Sequence, residues 1–399
     1  MSSTHLPTEI SPHIAVNSSK RGNEWSLLLA ACSTDSLEEK AARLGSILSQ
    51  LLNWDELLAL ADRHGVQPLI IHNLSSLGDA VPTGFMHVLA QRYQANLHKA
   101  LFLSRELITI LDCFGAAGIE VLPYKGLALA EMIYGDIALR QSGDIDLLIH
   151  PQDLPRIRQA LAPLGFVPHE NFSAVEERAY LKSGYESAFD GPAGKNLLEV
   201  QWAILPRFYA VDFDMGAVFH RAVMTTVAGR AIKSPCIEDL FIVLTLHAAK
   251  HVWGRLIWLC DLSRMMNLPQ LDWKQITSQA EELGIACILR ATVLLANRLL
   301  NAPIPESMQH LTQDNDLRAL LAEISAYIES ETEYDVESAA YFRLMLRLRE
   351  KPLDRLRFLT RLVWTPGPGE WALVRLPAPL FPLHRAVRFY RLAAKLLTR

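Results

Sequence analysis

Two aspartates at alternate positions, Asp144 and Asp146, carry the clearest chemical signal in this sequence. They lie in Gly143-Asp-Ile-Asp-Leu-Leu-Ile, a segment whose aliphatic residues predict a strand that enters a core. Residues two apart in a strand project to the same side, so both carboxylates share one face. Neighbouring carboxylates repel each other, and Mg²⁺ is the natural cation to lie between them. The alternative is a strand start whose two aspartates simply face water.

Two other segments favour the interpretation as a metal and phosphate site. Tyr124-Lys125-Gly126-Leu predicts a turn from strand to helix, where Gly126 lets backbone N–H groups approach phosphate oxygens closely. Farther along, Glu199 lies on another predicted strand in Leu-Glu-Val-Gln-Trp. Three carboxylates together with an anion site at a helix end are the groups that two-metal phosphoryl or nucleotidyl transfer requires.

The elements that position these residues form a small α/β centre between helical regions. Hydrophobic periodicity predicts strands near 119–124, 144–149, 186–189 and 196–205, and helices over 25–118, 237–253, 255–267, 273–300 with a break near Gly284, 316–332 and 338–350. The predicted fold class is therefore α+β, a small sheet with mainly α-helical N- and C-terminal regions. The predicted regions are a flexible tail 1–23, an N-terminal helical region 24–117, an α/β core 118–235, a C-terminal helical region 236–350 and a basic, Pro-containing tail 351–399 with a terminal helix.

Three separated runs resemble the uncharacterised nucleotidyltransferase family of the DNA polymerase beta superfamily. They are YKGLALAEMIYGDIALRQSGDIDLLI, LLEVQWAIL and LHAAKHVWGRLIWLCDL, and the resemblance spans roughly residues 85–350. It implies a polymerase-beta-like sheet and transfer of a nucleoside monophosphate from a nucleoside triphosphate, ATP by default. The implied acceptor is an unknown peptide, sugar or protein, in peptide or polysaccharide biosynthesis.

The resemblance also implies roles for individual residues. Asp144, Asp146 and Glu199 would be catalytic and hold two Mg²⁺ ions, with Glu199 as a ligand or as the base for the acceptor hydroxyl. Nucleotide binding would fall to the glycines of the two turns and to nearby cations, which are Gly126, Gly143, Lys125, Arg140 and Lys250.

The sequence departs from the superfamily pattern at two places. The turn reads Lys125-Gly126 where Gly-Gly or Gly-Ser is usual, and Glu199-Val-Gln201-Trp stands where Asp-x-His-Trp is expected. Glutamate keeps the carboxylate but moves it by one methylene, and Gln201 cannot act as an acid or base. Two alternatives therefore stay open. One is a catalytically degenerate fold that serves as a binding or scaffold module, and the other is phosphoryl transfer to a peptide or sugar.

A helix with two histidines, His247-Ala-Ala-Lys-His251, raises the question of a zinc site. The metalloprotease pattern needs a glutamate directly after the first histidine, and here that position is alanine, so a structural role is favoured. Asp261 is predicted to pair with Lys250 or Arg255. Packing at the seam of helices and sheet is predicted for Trp202, Trp253 and Trp258.

Charge is distributed unevenly along the 399 residues. The net charge of -4 gives no reason to expect a specific nucleic-acid partner, yet residues 340–399 hold 13 Lys and Arg against three acidic residues. The stretch His384–Arg399 predicts a basic amphipathic helix. It can lie on an anionic membrane surface, bind an acidic partner or dock on the acidic body of the protein itself, and the last is favoured.

The cysteines and the N-terminus bear on the compartment. Five widely spaced cysteines without a C-x-x-C pair argue against a disulfide framework and against a thiolate zinc site. No secretory signal precedes Trp25, and no uncharged apolar stretch reaches the ~18–20 residues of a spanning helix. A cytoplasmic protein is expected.

Overall fold

A computed structural model describes residues 22–192, 194–330, 335 and 338–397, so the predicted tail 1–23 lies almost wholly outside the described residues. The helices of these residues are α1 (Asn23–Cys32), α2 (Leu37–Leu48), α3 (Trp54–Arg63), α4 (Gln67–Leu74), α5 (Thr83–Ala116), α6 (Gly126–Tyr134), α7 (Leu154–Leu161), α8 (Ala174–Ser183), α9 (Met215–His220), α10 (Ile237–Lys250), α11 (Leu256–Met266), α12 (Trp273–Glu282), α13 (Ala286–Leu300), α14 (Asn315–Glu329), α15 (Ala339–Arg347), α16 (Pro352–Trp364), α17 (Pro368–Leu373) and α18 (His384–Leu397).

The strands form a five-stranded sheet and a separate hairpin. They are β1 (Val121–Pro123), β2 (Ile145–Ile149), β3 (Val167–Pro168), β4 (Glu186–Gly191), β5 (Gly194–Gln201), β6 (Val223–Val227) and β7 (Arg230–Ser234). The sheet order is β1-β2-β5-β4-β3, and β6 pairs with β7. Only β2 and β5 run parallel among the paired strands of the described residues. The α+β class with helical flanks is confirmed, and the predicted division into five regions stays a prediction.

Local sequence signals account for many of the helix ends. Ser36 caps α2 and Glu39 completes a capping box, which satisfies N–H groups that have no partner within the helix. The predicted break near Gly284 separates α12 from α13, and Gly284 has φ +67°, a conformation that costs glycine little. These helices pack into one large hydrophobic cluster that also includes Leu148 of β2.

Strand β2 is buried on both faces of the sheet. Ile145, Leu147 and Ile149 lie in a second hydrophobic cluster with Phe114 of α5 and Leu161 of α7. Their alternation places Asp144 and Asp146 on the opposite side. The prediction that Ile145 and Leu147 enter the core is confirmed, and the fold directs the aspartates towards α10 and α11.

Several elements have no counterpart in the sequence predictions. They are α8, α9, the β6–β7 hairpin, α16 and α17. The terminal helix α18 exists as predicted, but its Arg388 and Arg391 pair with Glu370, a residue of the same C-terminal segment. Within the described residues, no helix combines the length and the apolar character that crossing a membrane requires.

Candidate active site

All eight predicted site residues line one cavity of about 370 Å³ between the sheet, the start of α6 and helices α10 and α11. They are Lys125, Gly126, Arg140, Gly143, Asp144, Asp146, Glu199 and Lys250. Chain segments more than 100 residues apart therefore meet at one place. The lining also includes residues that the sequence did not single out as a site, among them Tyr185, Glu186 and Ser142.

The three predicted carboxylates meet through the pairing of β2 with β5. Asp146 and Glu199 are register partners in this parallel pair, and Asp144 precedes Asp146 by two positions. Burial, followed by the charge of Asp146, raises the pKa of Asp144 to about 6. Burial, followed by the charges of Asp146 and Glu186, raises the pKa of Glu199 to about 7. The cavity therefore concentrates negative charge that a cation would stabilise.

Gln201 and Glu186 are part of this cluster although the sequence analysis assigned them no function. Glu186 of β4 is the register partner of Gln201 in β5. The Gln201 amide nitrogen donates to Glu199 over 3.3 Å and to Glu186 over 3.2 Å, and its amide oxygen accepts from the Tyr124 hydroxyl. Gln201 thus fixes two carboxylates at once. The only sequence signal was its position two residues after Glu199, on the same face of the strand.

Lys125 neutralises part of the carboxylate cluster from the start of α6. Its Nζ lies 2.9 Å from Oδ1 of Asp146, and both side chains are at most one-tenth exposed. Burial, the largest single contribution, lowers the pKa of Lys125, but the charge and hydrogen bond of Asp146 together with those of Tyr124 outweigh it and raise that pKa above its usual value. Lys125 is therefore a permanent cation of the site.

Gly126 begins α6 in a conformation that favours glycine. Its φ is +55°, and a Cβ at this position would lie 3.3 Å from the carbonyl oxygen of Asp144. No side chain caps the start of the nine-residue helix α6. Lys125 and Gly126 line the cavity, so the start of α6, whose first N–H groups have no side-chain cap, lies at the cavity wall, where a helix N-terminus can bind an anion.

Arg140 is held by Asp261, and the prediction that Asp261 pairs with Lys250 or Arg255 is wrong. The Arg140 guanidinium binds both Asp261 oxygens at 3.0–3.1 Å, and Tyr134 donates to Oδ1 at 2.7 Å. A buried guanidinium needs such a carboxylate, and the planar fork matches it in a bidentate way. Arg140 still lines the cavity, and its role in phosphate binding stays a prediction.

The far wall of the cavity comes from α10 and α11. Lys250 Nζ lies 2.6 Å from the hydroxyl of Tyr185, and burial lowers the pKa of Lys250. His247 and His251 pack against Trp258, with ring centroids 5.2 Å apart in each case. Burial lowers the pKa of His251 to about 3, and that of His247 well below its usual value. Both imidazoles are therefore neutral at pH 7 and belong to the packing of this wall.

Comparison with known protein families agrees with this geometry. Residues 50–301 match the family described as uncharacterised nucleotidyltransferase. The chain belongs to this family. The match spans α3 to α13 and so includes every residue of the cavity. No curated protein and no solved structure matches the chain in the corresponding comparisons.

Membership of a nucleotidyltransferase family raises the question of whether the cavity suits a magnesium ion. The carboxylates of Asp144, Asp146 and Glu199 are hard oxygen donors of the type that Mg²⁺ prefers. In the described part of the chain, no group of three or more His, Cys, Asp or Glu side chains has the arrangement of a metal site. Mg²⁺ commonly uses one or two carboxylates and completes its shell with water and substrate phosphates. These carboxylates are therefore of the right chemical type for a magnesium ion that would arrive with a nucleotide, and Lys125 contacts one oxygen of Asp146.

Proposed function

We propose that this nucleotidyltransferase-family chain moves a nucleoside monophosphate from a nucleoside triphosphate, ATP by default, to an acceptor nucleophile. The observation that carries the proposal is the convergence of Asp144, Asp146 and Glu199 with the uncapped start of α6 in one cavity. The acceptor is a hydroxyl of a peptide, sugar or protein. It attacks the α-phosphate, the bond to the β-phosphate breaks, and pyrophosphate leaves.

The cations of the cavity would hold the nucleotide. The N–H groups at the start of α6 and the side chains of Lys125, Arg140 and Lys250 line the space where phosphates would bind. Asp144 and Asp146 would hold two Mg²⁺ ions together with the phosphates, and Glu199 would either complete this ligand set or serve as the base. Bound Mg²⁺ would neutralise charge on the phosphates and lower the energy of the transition state.

Glu199 is proposed as the group that takes the acceptor proton. Its pKa of about 7 suits a base that works near neutral pH. The proton of the attacking hydroxyl passes to a Glu199 carboxylate oxygen as the new bond to phosphorus forms. Gln201 holds Glu199 by a hydrogen bond of 3.3 Å and so orients the base.

A binding module without catalysis is the second candidate, and one contact favours it. Lys125 already occupies one oxygen of Asp146, the position where a metal ion would bind. In a degenerate site this built-in cation would replace the metal, and the cavity would bind a nucleotide without turning it over. Phosphoryl transfer to a peptide or sugar is the third candidate, and the experiment described next distinguishes all three.

In the decisive experiment, the full chain is incubated with Mg²⁺, a cell extract as the source of acceptors, and ATP, GTP, CTP or UTP labelled at either the α- or the γ-phosphate. Label at the α-phosphate that appears on an acceptor, with pyrophosphate release, supports nucleotidyl transfer. Label from the γ-phosphate on the acceptor indicates phosphoryl transfer instead. Binding without either transfer indicates the binding module.

Matched variants connect the result to the cavity. Asp144→Asn with Asp146→Asn should lower transfer at least ~100-fold, because removal of preorganised charge stabilisation has effects of this size. Asp55→Asn, which changes an exposed aspartate of α3, should leave transfer unchanged. Equal activity of the double variant and the wild type would contradict the proposal.

A further inference from the structure

The terminal helix α18 buries two polar side chains and exposes two aromatic ones. His384 and Arg388 are buried, whereas Phe389 and Tyr390 are 63% and 72% exposed. Glu370, which is almost fully buried, accepts from Arg388 and lies 2.8 Å from Nε of Arg391. This ion-pair cluster uses Arg388 and Arg391 for docking. The aromatic side chains of α18 therefore remain in contact with solvent.

Helix α16, which packs beside α18, carries apolar side chains on both its buried and its exposed side. Phe358 and Leu362 are buried, and the opposite side carries Leu353, Leu356 and Leu359, which are 64%, 61% and 42% exposed. Steps of three residues place these leucines on one stripe of the helix. Helices α16 and α18 pack against each other, so both exposed apolar sides belong to one part of the molecule.

Exposed apolar side chains are concentrated in this segment. Within the described residues, ten of the 17 large exposed apolar side chains lie between positions 353 and 390. Such concentration exceeds the scattered exposure that is normal on protein surfaces, and it marks an interaction site. We call residues 352–390 the C-terminal surface.

A cavity of about 420 Å³ opens between the elements of the C-terminal surface and α8. Trp364, Trp371 and Phe381 form apolar walls, while Lys182, Arg207 and Arg385 also contribute to the lining. These three cations are exposed, and none of them forms an ion pair within the described residues. An apolar interior beside unpaired cations complements an amphiphile with an anionic head group.

We propose that the C-terminal surface binds the interface of an anionic lipid membrane. The aliphatic side chains of α16 and the aromatic side chains of α18 enter the region between head groups and acyl chains, where aromatic rings are favoured. Lys182, Arg207 and Arg385 contact the lipid phosphates and are attracted by the negative potential of such a surface. The proposal stands on residues outside the nucleotidyltransferase cavity and is independent of catalysis.

Vesicle flotation with the full chain tests the proposal. The protein should float with vesicles that contain phosphatidylglycerol, and floating should decrease in high salt and with pure phosphatidylcholine vesicles. Phe389→Ser with Tyr390→Ser should reduce the bound fraction about 10-fold, because the apolar contact is lost. Leu37→Ser with Leu51→Ser, a change at two leucines that are 80% and 93% exposed elsewhere, is the matched control and should float as the wild type does.

A charge variant and a measurement of oligomeric state complete the test. Lys182→Glu, Arg207→Glu and Arg385→Glu together should also abolish floating, although all three side chains are exposed and do not contribute to the core. Failure of the wild type to float with anionic vesicles would overturn the proposal. So would a dimer in analytical ultracentrifugation that the Phe389→Ser/Tyr390→Ser variant dissociates, since a second copy would then cover this surface.

Discussion

Lys125 Nζ lies 2.9 Å from Oδ1 of Asp146, and Asp146 is the register partner of Glu199 on the neighbouring strand. Lys125, at the turn before α6, thus places its positive charge beside carboxylates of two adjacent strands. The pair lies in the cavity on which the proposed function depends, so the same contact bears on both stability and function. Because the pair is almost fully buried, its removal has measurable consequences for folding.

Breaking the Lys125–Asp146 pair should destabilise the protein in a non-additive way. Lys125→Met and Asp146→Asn should each lower the free energy of unfolding by about 3 kcal/mol, because each leaves a buried partner uncompensated. The double variant should lose less than the sum. Urea unfolding of the four proteins measures the coupling. The exposed pair Lys233–Glu120 is the control, and additive effects at the buried pair would contradict the expectation.

The Arg140–Asp261 pair should be more important for stability than a surface ion pair. Asp261→Asn should reduce the free energy of unfolding by about 3 kcal/mol or more, since the Arg140 guanidinium is buried and loses its bidentate carboxylate. Glu323→Gln, which removes the partner of Arg347 in a pair that is half exposed, should cost less than about 1 kcal/mol. Chemical denaturation measures the free energy of unfolding of both variants. A loss in Asp261→Asn as small as that in Glu323→Gln would contradict the expectation.

The raised pKa of Glu199 makes stability fall as pH rises. Its usual value is 4.5 and its value in the folded protein is about 7, so the folded state binds more protons than the unfolded chain between these pH values. The free energy of unfolding therefore decreases through this window, and Asp144 contributes in the same direction between 3.8 and about 6. In Glu199→Gln, the free energy of unfolding should decrease less between these pH values, because only the contribution of Asp144 remains of the two.

Urea unfolding at pH 5 and pH 7.5 in the presence of a chelator measures the pH effect. Glu199→Gln should gain stability relative to the wild type at the higher pH, because glutamine has no charge to bury. Glu38→Gln, at an exposed position of α2, is the control and should show the same pH profile as the wild type. An unchanged profile in Glu199→Gln would mean that its carboxylate is not perturbed.

Gly126 should not tolerate a side chain. Gly126→Ala should destabilise the protein by about 1–2 kcal/mol, because φ at this position is +55° and left-handed geometry is costly for alanine. It should also weaken nucleotide binding, since the turn at the start of α6 must shift. Gly45→Ala, at an exposed site within α2 with nothing close to the new Cβ, should stabilise by about 0.5–1 kcal/mol. Calorimetric unfolding and nucleotide titration measure both effects.

Local patterns predicted the scaffold of the site well. The spacing of Asp144 and Asp146 indicated one strand face, and the predicted break near Gly284 follows from a backbone preference that acts within a few residues. The short elements α8, α9 and the β6–β7 hairpin were missed, because the hairpin is stabilised by contacts with α6 and β1 that lie far away in the sequence.

The sequence by itself determined the three carboxylates, the glycine turn and the faces on which they lie, because side-chain direction repeats with a local period. Only the tertiary structure decided their partners. Asp261 binds Arg140, 121 residues away, and Gln201 bridges to Glu186 because β4 pairs with β5 in one register. The helix at His384–Leu397 is amphipathic in sequence, yet it buries Arg388 and exposes Phe389 and Tyr390, since the buried carboxylate of Glu370 needs cations. The periodic pattern of a sequence defines two faces of a helix, but residues elsewhere in the chain, here Glu370, decide which side chains of the helix become buried.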